Sequence, residues 1–469
     1  MPSLTSPDVP NDQLDTSGRY LLPPLDPHSP APLTDYDYPQ SPIMSQDRHM
    51  GSMAAALRMK LEHLPQLNMH NLSLHHAQQK RFSTELNSAT SSRSAYSFGS
   101  NQSDDTDATD MTVTPNRSRA STFDNAERIT SPLIQTVQCK PPLRVVLGTA
   151  SVGSKQSPLA KITTVEDASK FVNLFHSRGY NDIDTARAYP VGRGGTCEKL
   201  LGEEELRLSK WANVSSKVSS FMPGSHRARN IALSIDRSLE ALNTDQVDVM
   251  YLHAPDRATP FAETAEAMNK AYLEGKFERF GLSNFSVEEV EQMVKVCEDN
   301  GFVKPSVYQG QYNPICRGGE ERLFSVLRDH NIAFYAYSPS ACGFFSNKVS
   351  RASAKDRNSR WNIASPLGAK YAGDYFHDPL FAAAELVRQQ ARKFGISGHA
   401  AALRWTTWHS QLGAEYGDAV IIGASKLSQL QENMDILEQG PLPDQLVDTL
   451  NNIWEDVRAS EKGPRFSFV

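Results

Sequence analysis

Eight strand–helix units follow one another from about Leu143 onward, and this repeat constrains the fold more than any other feature of the chain. The strands, among them RVVLGTA, VDVMYLHA and IAFYAYSP, are nearly continuous apolar runs, which is typical of strands buried on both faces. The intervening stretches, such as RNIALSIDRSLEALN, carry apolar residues at helical spacing. Eight units of this size predict an α/β fold, the (β/α)8 or TIM barrel.

A doubly wound sheet is the alternative fold, and the first strand–helix turn argues against it. Residues 148–153 lack the GxGxxG turn that opens directly into a helix in dinucleotide-binding sheets. The glycines of VGRGG (Gly192, Gly194 and Gly195) also miss that spacing and predict a flexible loop. Residues 340–377 interrupt the repeat, which resumes with a helical region over residues 378–410, the strand AVIIGA and the helix LSQLQENMDILEQ.

Residues 1–140 differ from the rest in composition, because they are rich in Ser, Pro, Asn, Asp and Gln and poor in aliphatic runs. Such a segment buries too little apolar surface to offset the entropy of ordering. We therefore divide the chain into a disordered region, 1–140, and a barrel domain, 141–469. Apolar residues at helical spacing over residues 53–64 predict a short, weak helix. Ser83 and Ser121 follow basic residues and are candidate kinase sites, and this arm is also a candidate site for a protein partner.

The composition excludes several classes of function. The net charge of −6 and the pI near 6.1 give no basic field that would collect nucleic acid or an anionic membrane surface. No apolar run approaches the roughly 20 residues that cross a bilayer, and the N-terminus carries no targeting pattern. The five cysteines are scattered without a CxxC or zinc-type spacing, so we expect no metal, reduced thiols and a cytoplasmic protein.

Polar residues stand where the apolar strands end. The ends of the second to seventh strands carry Asp184, Lys217, His253, Ser283 with Asn284, Gln309 with Tyr312, and Tyr337 with Ser338. From Asp184 to Tyr337 these positions recur every 25 to 36 residues, about one unit at a time, which puts them all at the carboxyl ends of the strands. A single polar residue on a strand is usually a satisfied core residue, whereas six at matching positions predict a functional site on that face of the barrel.

Tyr189, five residues after Asp184, is the predicted proton donor of this site. A phenol ionises near pH 10, and the ammonium of Lys217 on the next strand would lower that pKa. Asp184 can pair with Lys217, and His253 can donate a hydrogen bond that orients a carbonyl oxygen. Because no serine or cysteine nucleophile with a dedicated base accompanies them, the set predicts reduction of a carbonyl by hydride from a bound cofactor.

The remaining strand ends suit a nicotinamide cofactor. Asn284 and Gln309 offer the donors and the acceptor that a carboxamide needs, and the ring of Tyr337 offers a face for stacking. The chain from Gly423 to Lys426 leads from the last strand into a helix, where free N–H groups and a lysine can hold phosphate. Taken alone, Gly423 is equally typical of an ordinary strand-to-helix turn.

The motifs DIDTARAY, SSKV, YLHAPD, EGKFERFGLSNF, VYQGQYN, FYAYSP, AALRW and IIGASKLSQLQEN occur in order over residues 143–440. They resemble motifs of the aldo-keto reductase superfamily, most closely its aflatoxin-aldehyde reductase branch. The resemblance implies a (β/α)8 barrel that binds NADPH without a Rossmann domain and reduces aldehydes or ketones to alcohols. It implies a catalytic tetrad of Asp184, Tyr189, Lys217 and His253. It also implies cofactor contacts from Ser283, Asn284, Gln309, Tyr337, Ser338, Gly423, Ser425, Lys426, Gln429 and Asn433.

Three places depart from the family pattern. Pro190 follows the tyrosine where the family often has Gly, and the usual Tyr-Ser/Asn-Pro-Leu continues here as residues 339–343, PSACG. Gln429 stands where many members carry an arginine for the 2′-phosphate of NADPH, and Lys426 is the available substitute. NADPH is the predicted cofactor, and NADH is the less favoured one.

Two functions stay open at this stage. One is NADPH-dependent reduction of a small-molecule carbonyl substrate. The other is a cofactor-binding regulatory subunit with little turnover, acting through protein partners, which the long N-terminal arm keeps open; the intact tetrad favours the first. The tail 463–469 either lines a substrate pocket or is a frayed end, and the chain is either a monomer or a homodimer.

Overall fold

Eight parallel strands close into a barrel in chain order, with the last strand paired to the first, in the computed structural model, which describes residues 139–357 and 359–460. This confirms the predicted (β/α)8 barrel over the doubly wound sheet. The strands are β1 (Arg144–Gly148), β2 (Asp182–Asp184), β3 (Asn213–Val218), β4 (Val247–Leu252), β5 (Phe277–Ser283), β6 (Pro305–Gln311), β7 (Ala333–Tyr337) and β8 (Ala419–Gly423).

Helices connect the strands and bury their apolar faces against them. In the helix between β3 and β4, Ile231, Ile235, Leu239 and Leu242 are buried at spacings of about one turn. The α-helices are α1 (Val165–Ser177), α2 (Thr196–Leu201), α3 (Ala228–Leu242), α4 (Phe261–Leu273), α5 (Val287–Asn300), α6 (Leu323–Asp329), α7 (Pro366–Tyr375), α8 (Asp378–Arg392), α9 (Gly398–Trp408), α10 (Leu427–Leu437) and α11 (Asp444–Arg458). Turns of 3-10 helix lie at Glu204–Leu206, Leu208–Lys210, Gly318–Glu320, Ala341–Gly343, Arg351–Ala354 and Ala414–Tyr416.

Two stretches of the chain, after α2 and within the predicted helical region 378–410, are divided into shorter segments. After α2 the chain continues in two 3-10 turns, which point Leu206 and Leu208 into the core. The region 378–410 is two helices, because Ser397 caps a new helix by accepting a hydrogen bond from the N–H of Ala400. The last helix, α11, is absent from the sequence prediction although its buried residues keep helical spacing.

The predicted interruption, residues 340–377, contains α7 and an aromatic cluster. The ring of Phe344 lies 5.8 Å from that of Trp361 and 5.5 Å from that of Tyr375, and Trp361 stacks on Phe376 at 5.2 Å. The amide of Gln311, the last residue of β6, donates a hydrogen bond to the Tyr375 hydroxyl. The segment is therefore packed on itself and tied to the carboxyl end of the barrel.

Alternate residues of each strand point into the barrel, where an apolar layer fills its middle. This layer consists of Val146, Val249, Tyr251, Val307, Ala333, Tyr335, Ala419 and Ile421. Gly281 of β5 lies against the ring of Tyr251, and a Cβ atom there would stand 2.3 Å from a ring carbon, so only glycine fits. Towards the carboxyl end the inward positions become polar, beginning with Asp184 on β2 and Lys217 on β3.

Several predictions concern residues outside the described part of the chain. These are the disordered arm up to residue 138 with its short helix, the candidate kinase sites Ser83 and Ser121, and the tail 463–469. Among the residues that the structure describes, no helix combines the length and apolarity needed to span a bilayer. In the same residues, no three His, Cys, Asp or Glu side chains are grouped so that they could hold a metal ion.

Candidate active site

Asp184 and Lys217 form a buried ion pair at the carboxyl end of the barrel. The Lys217 Nζ donates to Asp184 Oδ2 at 2.6 Å and to the carbonyl of Thr185 at 2.8 Å. The side chains are 0% and 4% exposed, and burial lowers the pKa of Lys217 against the opposing effect of Asp184. The other carboxylate oxygen accepts a hydrogen bond from Gln309 Nε2 at 2.8 Å. The ammonium is thus held at a fixed point just above the apolar layer.

Tyr189 lies over this pair on the loop that leaves β2. Its ring centroid is 5.2 Å from the Lys217 Nζ. The ring meets that of His253 edge to face, at 5.6 Å and 81°. The peptide bond from Tyr189 to Pro190 is cis. The structure therefore brings together the four residues of the predicted tetrad.

His253 follows β4 and is half-buried, with its Nδ1 buried and lacking a hydrogen-bond partner among the described residues. Burial and the charge of Lys217 lower the pKa of this imidazole well below its ordinary value. The ring is therefore neutral at neutral pH and carries a single N–H donor. Its backbone N–H donates to the Ser220 Oγ at 3.1 Å, and Phe221 packs against the ring at 4.9 Å.

The predicted carboxamide ligands form a connected group next to the tetrad. Asn284 Nδ2 donates to the carbonyl of His253 and to the Ser283 Oγ, both at 3.0 Å, while Asn284 Oδ1 accepts from the Tyr337 hydroxyl at 2.9 Å. Asn284 adopts a φ of 64°, a left-handed conformation that asparagine tolerates better than most residues. Asn284 donates both of its amide hydrogens to protein groups. The Ser283 hydroxyl and the Gln309 amide oxygen are therefore the groups best suited to hydrogen bond with a carboxamide. The ring of Tyr337 is partly exposed beside them.

Ser338 lies at the start of the loop after β7. Its φ of 54° is also left-handed, and its Oγ is 3.2 Å from the Cys342 Sγ. Its carbonyl accepts a hydrogen bond from Asn313 Nδ2 at 3.1 Å. The hydroxyl of Ser338 is thus engaged with the loop that follows it.

The predicted phosphate end lies at the turn from β8 into α10. The backbone N–H and hydroxyl of Ser425 both donate to Gln429 Oε1, at 3.0 and 2.8 Å. Asn433 Nδ2 donates to the carbonyl of Gly423 at 3.2 Å and its Oδ1 accepts from His399 Nε2 at 2.8 Å, so the amide holds the turn together. Lys426 is exposed at the N-cap position of α10 and supplies a positive charge there.

Sequence reasoning missed several residues around the tetrad. Tyr312, predicted at the end of β6, lies instead in the aromatic core outside the barrel. Its ring meets that of Phe324 edge to face at 5.2 Å, and its hydroxyl donates to Glu320 Oε1 at 2.5 Å. His226 supports Ser220, with Nε2 and Oγ 2.8 Å apart. Arg187 and Glu198 form an ion pair beside Tyr189. Arg187 does stand within DIDTARAY, but no sequence period indicates what it contacts.

Comparison with known proteins adds independent findings. The model of the aldo/keto reductase family matches residues 144–455. An aldo-keto reductase of Pseudocercospora fijiensis is 37% identical over 299 residues, which cover 62% of this chain and 98% of that protein. The oxidoreductase sirO of Leptosphaeria maculans is 33% identical, over 69% of this chain and 96% of its own. Aflatoxin B1 aldehyde reductase member 2 of Homo sapiens is 35% identical, over 67% and 88%.

Proposed function

We propose that this chain uses NADPH as reductant and Tyr189 as proton donor. The chain belongs to the aldo/keto reductase family and is therefore an enzyme that reduces carbonyl groups. The observation that carries this proposal is the buried Asp184–Lys217 pair with Tyr189 and His253 directly above it. The names of the relatives favour an aldehyde as the substrate, although a ketone uses the same chemistry.

The proton moves from the Tyr189 hydroxyl to the carbonyl oxygen. The ammonium of Lys217, 5.2 Å from the ring, stabilises the phenolate that is left behind, and Asp184 keeps the ammonium in place. The neutral imidazole of His253 donates its hydrogen bond to the same oxygen and orients it without adding a charge. Bound NADPH would supply the hydride to the carbonyl carbon.

The residues present suit that cofactor. The Ser283 hydroxyl and the Gln309 amide oxygen complement a carboxamide, and the partly exposed face of Tyr337, fixed through Asn284, suits a flat ring. At the other end, the exposed Lys426 and the N-terminus of α10 suit a phosphate. Gln429 would contact the phosphate as well, once its side-chain oxygen gives up its hydrogen bonds to Ser425. Lys426 is our reason for preferring NADPH to NADH.

The direct test is Tyr189→Phe in the full chain. We expect kcat for an aldehyde to fall by about 10²–10⁴-fold, the usual contribution of a general acid, with NADPH binding retained. Tyr180→Phe is the control, since the Tyr180 hydroxyl bonds Glu438 far from the tetrad. Equal turnover by wild type and Tyr189→Phe would refute the assignment. The regulatory alternative, which no described contact and no relative favours, would give tight NADPH binding and negligible wild-type turnover across an aldehyde panel.

We propose the cytoplasm as the compartment, from the scattered cysteines, and a monomer or a homodimer as the assembly. The domain division at residue 140 is our proposal from composition alone.

A further inference from the structure

Glu198 of α2 is a fully buried carboxylate that takes no part in the tetrad. Its side chain is 0% exposed, and its Oε2 accepts a hydrogen bond from Arg187 Nη1 at 2.7 Å. Its Oε1 accepts from the Ser216 hydroxyl at 2.6 Å. Burying a carboxylate is costly unless it is paired, and replacing such a pair by apolar residues is often neutral or stabilising. Stability alone is therefore a weak reason for this arrangement.

The partners of Glu198 lie next to the groups that move the proton. Arg187 stands two residues before Tyr189, and its backbone N–H donates to the carbonyl of Lys217 at 3.1 Å. Ser216 is the neighbour of Lys217 on β3. The Glu198 carboxylate thus joins the loop that carries the phenol to the strand that carries the ammonium.

The guanidinium of Arg187 lies in a slot shaped for it. A Cβ atom at residue 195 would stand 1.6 Å from the Arg187 Nη2, so the slot requires Gly195. The same guanidinium donates to the carbonyl of Arg237 on α3 at 3.0 Å. Gly195, predicted as part of a flexible loop, is instead packed against a side chain.

We propose that the Arg187–Glu198 pair is a positioning device, which holds the Tyr189 loop so that the phenol stays within the field of the Lys217 ammonium. The inference rests on the proposed function, because it requires Tyr189 to be the proton donor. Without the pair, the loop keeps the backbone bond from the Arg187 N–H to the Lys217 carbonyl but loses the side-chain link through Glu198 to Ser216 of β3. A displacement of about 1 Å in a reacting group costs on the order of 100-fold in rate.

Other groups also set the charge around Lys217. The groups that face or neighbour the Lys217 ammonium are Asp184, Glu198, Cys197, His253, Tyr189 and Tyr251. Burial raises the pKa of the Cys197 thiol to about 12, so that group stays neutral. Burial also raises the pKa of Glu198, against the opposing charge of Arg187.

The experiment compares Arg187→Met with Arg328→Met in the full chain. Arg328 pairs with Asp418 at 2.6 Å, and its exposure of 18% and that of its carboxylate, 0%, match the 22% and 0% of Arg187 and Glu198. We expect both variants to lower Tm to a similar degree. Only Arg187→Met should lower kcat, by about 10–100-fold with little change in the Kd of NADPH. Its kcat–pH profile should move its basic limb to higher pH, because the phenol loses part of the ammonium's field.

Two further variants separate positioning from an unpaired buried charge. Arg187→Met with Glu198→Gln should regain Tm and keep the altered kcat and pH profile, whereas Arg187→Lys should recover part of kcat. The inference is overturned if Arg187→Met has the wild-type pH profile and loses no more kcat than Arg328→Met, or if the double variant regains wild-type kcat. Tyr189→Phe with undiminished turnover would refute the proposed function itself, whatever the Arg187 variants do.

Discussion

At the amino end of the barrel, the buried Asp418 accepts four hydrogen bonds: two from Arg328, at 3.0 and 2.6 Å, and one each from the N–H groups of Phe334 and Gly413. At the carboxyl end, the buried Asp184–Lys217 pair lies beside an imidazole nitrogen, His253 Nδ1, that has no partner in the described residues. Lys217 there has a lowered pKa. One end satisfies its buried charge completely, which suits stability, whereas the other leaves hydrogen-bonding capacity unused, which suits chemistry.

The largest expected effect comes from removing the cation at each end in turn. Lys217→Met should lower kcat by about 10²–10⁴-fold, because the phenolate loses its stabilising charge. Arg328→Met should leave kcat near the wild-type value. Each variant leaves a carboxylate buried and unpaired, at a cost of about 3–5 kcal/mol. Steady-state kinetics and urea unfolding on the same samples check this, and a comparable kcat loss in both variants would break the comparison.

A smaller effect should appear in the pH dependence of stability. Burial lowers the pKa of His226 from 6.5 to about 4, so the unfolded chain binds a proton between these values that the folded chain does not. The stabilisation is present above pH 6.5 and is lost as the pH falls towards 4, by about 3 kcal/mol at most. His226→Gln, which can keep the bond to Ser220, should flatten this slope, with the lowered pKa of His253 leaving a residual slope of the same sign.

Unfolding free energies at pH 4.5, 5.5 and 6.5 measure that slope. His330→Gln, at the amino end after α6, is the control and should retain the wild-type slope. A His226→Gln protein with an undiminished slope would place the acid sensitivity elsewhere.

The smallest effect concerns the cofactor. Lys426→Ala should raise the Kd of NADPH by about fivefold, the worth of one exposed ion pair, and leave the Kd of NADH unchanged. Lys295→Ala, on the exposed face of α5, is the matched control. Fluorescence titration with both cofactors gives the four constants. A parallel loss for NADPH and NADH would mean that Lys426 does not contact the 2′-phosphate.

The sequence predicts much of the fold and of the tetrad, and the physical reason is periodicity. Each strand–helix unit returns the chain to the same rim, so the spacing from Asp184 to Lys217 and His253 is enough to bring those side chains together. Loops have no period. The pairing of Arg187 with Glu198, eleven residues apart across a glycine-rich loop, depends on the path of that loop, and so does the packing of Gly195. The aromatic cluster of residues 340–377 could not be predicted from the sequence for the same reason.

Side-chain amides were the second limit of sequence reasoning. The residue types at Asn284 and Asn433 suit a ligand, yet both spend their amide hydrogens or oxygen on neighbouring protein groups. Which partner an amide selects depends on angles that a one-dimensional pattern does not contain.

The apolar layer beneath Lys217, with Gly281 pressed against Tyr251, also governs how the acid is replenished. Protons travel along hydrogen-bonded groups and water. The valine, alanine and isoleucine side chains of this layer offer neither, and the buried hydroxyl of Tyr251 has no hydrogen-bond partner among the described residues. Tyr189 must therefore regain its proton through the mouth of the barrel, the side by which a product alcohol departs. Reprotonation of Tyr189 and release of the product then use the same route. A bound product therefore delays the next turnover in two ways, because it occupies the site and shields the phenolate from solvent.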